Sequence, residues 1–412
     1  MRTASYYLLV AMLDHGGSIV PLPRSRVQLF QMESALPFNS PNTDLSPLRN
    51  SRAIRIKNPR FALLSLLTAR DNKLNIRGIR PRPGTGAVMT GALMREVRGN
   101  RTGEEFAKLL NERLGRKYDR HKVSKWESGE SIPPEVIGLL RIWKLSYVPT
   151  GRCRRICVSL QKGGTLKSTT CIGLSYVLAC SGARVLIVDA DSQANASGHV
   201  GLADDDIDGL ANAGRTLYHA LVSQVPLREI ILETSVPNLH LVPSSIHLAV
   251  GEMELSDGSD ASKLLLRNLL RTVEADYDFI IIDTSPSLGL MTINCLAAAD
   301  DVLIPTQVER FAVTGLRHLH STIGQVRARL NPDLGILGIL PTLYTARQSQ
   351  DRETLNDIKS SANGVRVFEP IPKSAFFAQA AAGLRIPHDV DPGAPGLTSY
   401  IEIAEALGVK NG

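Results

Sequence analysis

Three apolar runs cross the middle of the chain, and each changes character abruptly at its end. Ile156, Cys157, Val158, Ser159 and Leu160 lead into a glycine-rich stretch. Val185, Leu186, Ile187 and Val188 stop at Asp189, Ala190 and Asp191, and Phe279, Ile280, Ile281 and Ile282 stop at Asp283. Short continuous runs of this kind, without polar alternation, predict parallel strands covered on both faces. Residues 171–180 then carry a helical apolar period, so the first run opens a strand, loop and helix in that order.

The loop itself carries the candidate chemistry. It reads Gln161, Lys162, Gly163, Gly164, Thr165, Leu166, Lys167, Ser168, Thr169. A glycine-rich turn into a helix start exposes backbone N–H groups where partial positive charge collects, which suits a phosphate. In a P-loop the lysine before the hydroxyl, here Lys167, reaches the terminal phosphates, and the Ser168 hydroxyl ligates Mg²⁺. Lys162 is an additional lysine that the ordinary pattern does not require. Ligands of open α/β sheets bind beyond the carboxyl ends of the strands, so Asp189, Asp191 and Asp283 are expected on the edge that carries the loop. One acid after a strand is as well explained as a helix cap. Three in this order, behind a phosphate loop, match the amides, lysines and carboxylates that ATP and Mg²⁺ need. The expected fold class is α/β, a P-loop NTPase with a mostly parallel sheet flanked by helices, plus a small all-α domain.

Residues 162–169, 189–195 and 277–284 resemble the deviant Walker A, Walker A′ and Walker B motifs of ParA-type partition ATPases, the ParA/MinD group. The likeness continues through residues 298–309, 330–334 and 367–373 and covers roughly residues 153–409. By that resemblance Lys162 is the signature lysine that crosses to the partner subunit's phosphates in an ATP-sandwich homodimer. Lys167 and Ser168 take the phosphate and Mg²⁺ roles, Asp189 and Asp191 the water and metal side of hydrolysis, and Asp283 the Walker B role. Leu166 departs from the family, which usually carries glycine before the phosphate lysine. A glycine there tolerates positive φ and close approach of the backbone to phosphate, whereas leucine adds a Cβ and bulk at a cost of about 1–3 kcal/mol, and an ATPase slower or weaker in nucleotide binding is expected. Ser192 and Ser285 replace prolines common in the family.

Length predicts more than one domain: of 412 residues, 43% are hydrophobic, enough for sizeable cores. The five cysteines are odd in number and scattered, which argues for buried thiols and against a zinc site or a disulfide framework. Residues 6–13 form a poor signal peptide, and no run approaches the roughly 20 residues of a membrane span, so a cytoplasmic protein is expected, nucleoid-associated by what the resemblance implies. Charge divides the chain further. Residues 1–150 hold 25 Lys and Arg against 12 Asp and Glu, whereas residues 151–412 hold 22 against 28. A basic first third on an acidic remainder points to an anionic partner at that end, nucleic acid first.

Within that third, residues 1–88 are expected to be a disordered basic extension, broken by Pro21, Pro23, Pro37, Pro41 and Pro47. Met89 and Met94 are plausible alternative starts. Residues 89–145 are expected to fold. Thr102 to Glu105 form a capping box before the apolar face of Phe106, Ala107, Leu109 and Leu110. Asp119 caps a second helix to Glu127 with Val123 and Trp126 buried, and a third spans residues 135–143. Residues 123–129 and 132–135 resemble the lambda-repressor-like helix-turn-helix, whose second helix enters the major groove. That places Arg120, His121, Ser124 and Lys125 toward DNA. A helical bundle used for dimerisation is the alternative, and the connection over residues 111–118 is long for the motif.

Arg347 is similar in position to a family arginine that binds DNA nonspecifically. The end of the chain, residues 402–412, lacks the cationic amphipathic character of a MinD-like membrane helix. The expected protein is an ATP-dependent partition ATPase for plasmid or chromosome segregation. It would bind DNA through both domains, autoregulate at an operator and respond to a ParB-like centromere-binding partner. A transcription regulator that uses ATP as a ligand, or a positioning ATPase for another cargo, is the alternative.

Overall fold

The computed structural model describes residues 86–256 and 259–412, and outside them a short antiparallel pairing of Met12–Leu13 with Ile19–Val20. The expectation for residues 1–88 thus lies almost wholly outside the described residues. Residues 1–80 and 81–412 form separate units, and the second holds both a set of helices and a sheet domain.

Four helices come first: α1 (Gly86–Arg98), α2 (Gly103–Leu114), α3 (Arg120–Glu127) and α4 (Pro134–Lys144). The capping box of α2 forms as its sequence predicts, with the Thr102 side chain accepting from Glu105 N and Glu105 reaching back to Thr102 N at 2.7 Å. The Asp119 side chain accepts from Lys122 N at 2.8 Å and caps α3. Met94, Phe106, Leu110, Val123, Trp126, Val136, Leu139 and Leu140 form one buried cluster among these helices. Helix α1 is not evident in the sequence, because Gly86 and Gly91 weaken its propensity. Tertiary contact supplies what propensity lacks: Met94 is fully buried, and Arg98 pairs with Glu127 of α3 at 2.6 Å.

The remainder is a seven-stranded sheet. Its strands are β2 (Arg154–Val158), β3 (Val185–Ala190), β4 (Leu232–Glu233), β5 (Leu239–Val242), β6 (Phe279–Thr284), β7 (Asp301–Gln307) and β8 (Gly335–Thr342), in the order β8-β7-β2-β6-β3-β5-β4. All neighbours are parallel except β4, which pairs antiparallel with β5 at the edge. Every residue of β3 and β6 is buried, as the unbroken apolar runs require. Because side chains alternate along a strand, one sequence feeds two cores. Cys157, Val188, Ile280 and Ile282 face the cluster that includes Leu266, Cys295 and Leu319, whereas Ile156, Val158, Ile187 and Ile281 face α5 (Lys167–Cys180) and the helix Leu397–Ala406.

The four helices are seated firmly on this sheet domain. A Cβ on Gly138 of α4 would run into the Pro392 carbonyl, and one on Gly393 would meet Glu135 N, so the two backbones touch where neither residue has a side chain. Arg113 of α2 donates to the Tyr176 hydroxyl of α5 at 2.8 Å and pairs with Asp389. Strand β1 (Leu145–Ser146) pairs antiparallel with β9 (Lys410–Asn411), tying the end of the chain to the connection between the helices and the sheet. All five cysteines are free, and Cys157, Cys171 and Cys295 are buried. No helix of the described residues is long and apolar enough to cross a membrane.

Candidate nucleotide site

Strand β2 ends at Val158 and α5 begins at Lys167, so the loop between them lies at the carboxyl edge of the sheet. Gly164 has φ +76°. A Cβ on Gly163 or Gly164 would meet nothing within 4 Å, so the loop borders open space there. Leu166 stands at φ 62° and ψ 33° as the residue before α5. That is the left-handed region, where a non-glycine residue is strained. Its half-buried side chain packs against the core that contains Ile172 and Tyr400, which partly offsets the strain. The loop is braced from outside: the Thr342 hydroxyl at the end of β8 donates to the Thr165 carbonyl at 3.2 Å.

The parallel pairing of β3 and β6 puts Asp189 and Asp283 in register. Both are fully buried, and Asp191 lies just beyond. Burial pushes the Asp189 carboxyl up to about 6, against hydrogen bonds that favour its charge. Those bonds come from Ser197 Oγ at 2.7 Å and Ser197 N at 2.8 Å to Oδ2, and from Asp191 N at 3.2 Å to Oδ1. Asp191 Oδ1 accepts from Gln193 N at 3.1 Å. Asp283 is pushed well above the carboxylate range by burial and then by Asp189. The Ser168 hydroxyl faces it and eases that burial, yet neither Asp283 oxygen has a hydrogen bond of ordinary geometry.

Lys167 is buried nearby. Burial lowers its pKa, opposed by Asp283 and Asp191, and its Nζ donates to the Lys162 carbonyl at 3.0 Å. Lys162, half-buried, turns the other way and forms an ion pair with Glu309, which follows β7. The structure therefore brings Lys162, Lys167, Ser168, Asp189, Asp191 and Asp283 to one edge. Three partners are not assigned from sequence: Thr342 and Glu309, far along the chain, and Ser197, in the short helix after Asp191. Their signal is faint, because a hydroxyl or carboxylate on another strand or turn has no fixed spacing from the loop it serves.

The donor set fits a hard divalent cation beside phosphate. Asp283 is a buried carboxylate with no hydrogen bond of ordinary geometry, and such a charge persists only if a cation or proton neutralises it. Among the described residues no three acidic, histidine or cysteine side chains stand close enough to cage a metal by themselves. Mg²⁺ suits that poverty, since it takes one or two protein oxygens and the rest from phosphate and water.

The remaining candidates lie elsewhere. On α3, Arg120, His121, Ser124 and Lys125 are exposed, opposite buried Val123 and Trp126. Lys122, on the same helix, is engaged by Glu130 at 2.5 Å. Arg347 is exposed in the turn between β8 and the helix Ser349–Ser361.

A family described as an AAA domain matches residues 153–336. The chain is 43% identical over 206 residues to the chromosome partitioning protein ParA of Myxococcus xanthus, covering 50% of this chain and 70% of that one. It is 36% identical over 252 residues to the sporulation initiation inhibitor protein Soj of Bacillus subtilis, covering 61% of this chain and 97% of Soj. The chain belongs to the ParA/Soj family of P-loop ATPases. Among solved structures, a Mycobacterium smegmatis cobyrinic acid a,c-diamide synthase with bound ADP and magnesium aligns at a TM-score of 0.52 and 32% identity, over 62% of this chain and 94% of that one. A putative plasmid partition protein of Borrelia burgdorferi bound to AMPPNP shares the fold, at 24% identity and a TM-score of 0.52, over 62% of this chain and 98% of that one. Within the loop, Leu166 is the non-glycine residue that stands at positive φ.

Proposed function

We propose that this protein is a partition ATPase that hydrolyses Mg-ATP, closes as a homodimer around the nucleotide and carries its own DNA-reading helices. The convergence of Lys162, Lys167, Ser168, Asp191 and Asp283 on one sheet edge carries the reading. Gly163, Gly164, Thr165, Leu166, Lys167, Ser168 and Thr169 form the phosphate loop. Lys167 binds the terminal phosphates, Ser168, Asp191 and Asp283 are the side chains suited to Mg²⁺, and Lys162 reaches the nucleotide of the other subunit. The metal, when bound, neutralises charge on the phosphates. Asp191 orients the water whose oxygen bonds the terminal phosphorus as the bond to ADP breaks.

The ATPase domain spans residues 153–412, and residues 89–145 read an operator through Arg120, His121, Ser124 and Lys125. Arg347 contributes sequence-independent phosphate contact, which makes that binding strongly salt-dependent. A ParB-like centromere-binding protein stimulates turnover, and the complex works on the nucleoid in the cytoplasm. The supporting relatives are chromosome partitioning proteins by name. The deciding experiment is phosphate release from ATP with and without DNA and the partition partner, with Lys162→Ala and Lys167→Ala as controls. Absence of Mg-ATP binding in the unaltered protein refutes the reading.

Leu166 supports a second reading. A strained residue at the phosphate loop suits a regulator in which ATP is a ligand with little turnover. Operator binding that changes with nucleotide, without phosphate release under any condition, would select it.

A further inference from the structure

The two acids at the end of β3, Asp189 inside the strand and Asp191 just past it, are not equivalent. Asp189 is fully buried and accepts three hydrogen bonds, from Asp191 N, Ser197 N and Ser197 Oγ. Asp191 accepts one, from Gln193 N. The intervening turn is tight, with Ala194 at φ 52° and its N–H donating to the Asp191 carbonyl at 2.9 Å. Ser197, itself fully buried, has a second bond: its Oγ also accepts the N–H of Ser244, beyond β5, at 3.1 Å. One hydroxyl thus joins the carboxylate of β3 to the backbone that follows the neighbouring strand.

We propose that Ser197 is a positioning residue for hydrolysis, forming with Asp189 a buried bracket that fixes where Asp191 stands beside the phosphate loop. The inference rests on the ATPase reading above and deepens it. Asp189 is the anchor and Asp191 the working group. The Asp189 oxygens are turned to the turn's own amides, so the carboxylate that remains for water and metal is the one two residues on. Ser197 sets this division. Without its hydroxyl, Asp189 keeps the two backbone donors but loses its shortest bond, and Ser244 N loses its acceptor. The turn then has freedom to shift Asp191, and a displacement of about 1 Å is enough to cost a large factor in rate. The loop amides, Lys167, Ser168 and Asp283, none of which bonds Ser197, hold most of the Mg-ATP affinity, so a small shift of Asp191 costs binding little and the in-line geometry of water much.

The test uses the full chain with Ser197→Ala and Ser197→Thr. Two readouts are followed: Mg-ATP affinity by calorimetry against single-turnover phosphate release, and hydrogen exchange of the Asp191 and Ser197 amides without nucleotide. Ser197→Ala is expected to slow phosphate release about tenfold, to leave affinity within about twofold, and to speed exchange of those amides about tenfold, as loss of one buried charge-assisted bond implies. Ser197→Thr, which keeps the hydroxyl, is expected to recover most of the rate and the protection. If Ser197→Ala does not fold, Ser197→Cys, a weak donor, carries the same comparison against Ser197→Thr. Unchanged phosphate release and exchange in Ser197→Ala overturn the inference, as does a loss confined to affinity. If the unaltered protein binds Mg-ATP without turnover, the ATPase reading fails on its own account, and exchange alone decides whether the bracket exists.

Discussion

Lys162 is paired with Glu309 of its own chain, across the gap between the phosphate loop and the residues after β7. Lys162 cannot hold Glu309 and reach another subunit's phosphates at once, so the pair must open for the proposed dimer to close. Both side chains are partly exposed, 42% and 29%, which keeps the interaction modest, about 1 kcal/mol or less after solvent screening. Glu309→Gln is therefore expected to lower the protein concentration needed for the ATP-bound dimer by about threefold to fivefold, measured by analytical ultracentrifugation. An unchanged dimerisation constant would mean that the pair does not compete with closure.

Leu166 offers a cleaner separation of backbone from bulk. Leu166→Gly removes the left-handed strain and the side chain together, whereas Leu166→Ala keeps the Cβ and removes only the bulk. If strain limits nucleotide handling, glycine raises turnover or ATP affinity by about fivefold to tenfold and alanine does not, since about 1–2 kcal/mol is at stake. Equal behaviour of the two variants would assign the effect to packing against the α5 core.

Asp283 predicts a conflict between stability and binding. A buried carboxylate without hydrogen bonds of ordinary geometry is costly in the nucleotide-free protein, by about 1–3 kcal/mol. Asp283→Asn is expected to raise the melting temperature of the nucleotide-free chain and to weaken Mg-ATP binding. A variant that loses stability and affinity together would contradict that account.

His388 supplies a pH dependence away from the site. Its ring is fully buried, with Nε2 near the Pro395 carbonyl at 3.2 Å, Nδ1 without a partner, and the rings of Phe377 and Tyr400 alongside. Burial lowers its pKa from 6.5 to about 4. Between those values the unfolded chain binds a proton that the folded chain refuses, so stability is full above pH 6.5 and is lost as pH falls toward 4. The loss from this residue reaches about 3 kcal/mol. His388→Phe should flatten the denaturation midpoint over that interval.

On α3, Arg120→Ala and Lys125→Ala are each expected to weaken operator binding by about 1 kcal/mol and to reduce its salt slope by about one if the contact is to phosphate. Arg347→Ala should act only on nonspecific DNA. Fluorescence anisotropy across a salt series distinguishes the three. Loss of none of them would favour the helices as a dimerisation bundle.

Legibility in the chain depends on where each signal lies. The apolar runs of β2, β3 and β6 are local, and so are the acids at their ends, so the sheet edge and its three aspartates can be read directly. The core roles of Val123 and Trp126 come likewise from helical spacing. Helix α1 could not be read, because it depends on Met94 and Arg98 meeting partners on other helices rather than on its own glycine-weakened propensity. Glu309 and Thr342 belong to the same class. Each acts on the site from an element whose distance along the chain is set by topology, and no spacing rule encodes that. The edge strand β4 was equally hidden, since two residues are too few to show alternation.

The contact at Gly138 and Gly393 brings α4 and the segment around Gly393 backbone to backbone. With main chain resting on main chain, and the final strand laced to the connection ahead of the sheet, there is no slack at the joint. A tag fused after Gly412 would emerge at that joint, and a bulkier residue at either glycine would pry it open. Whatever the phosphate loop experiences, α2 is one hydrogen bond away from α5, through Arg113 and Tyr176.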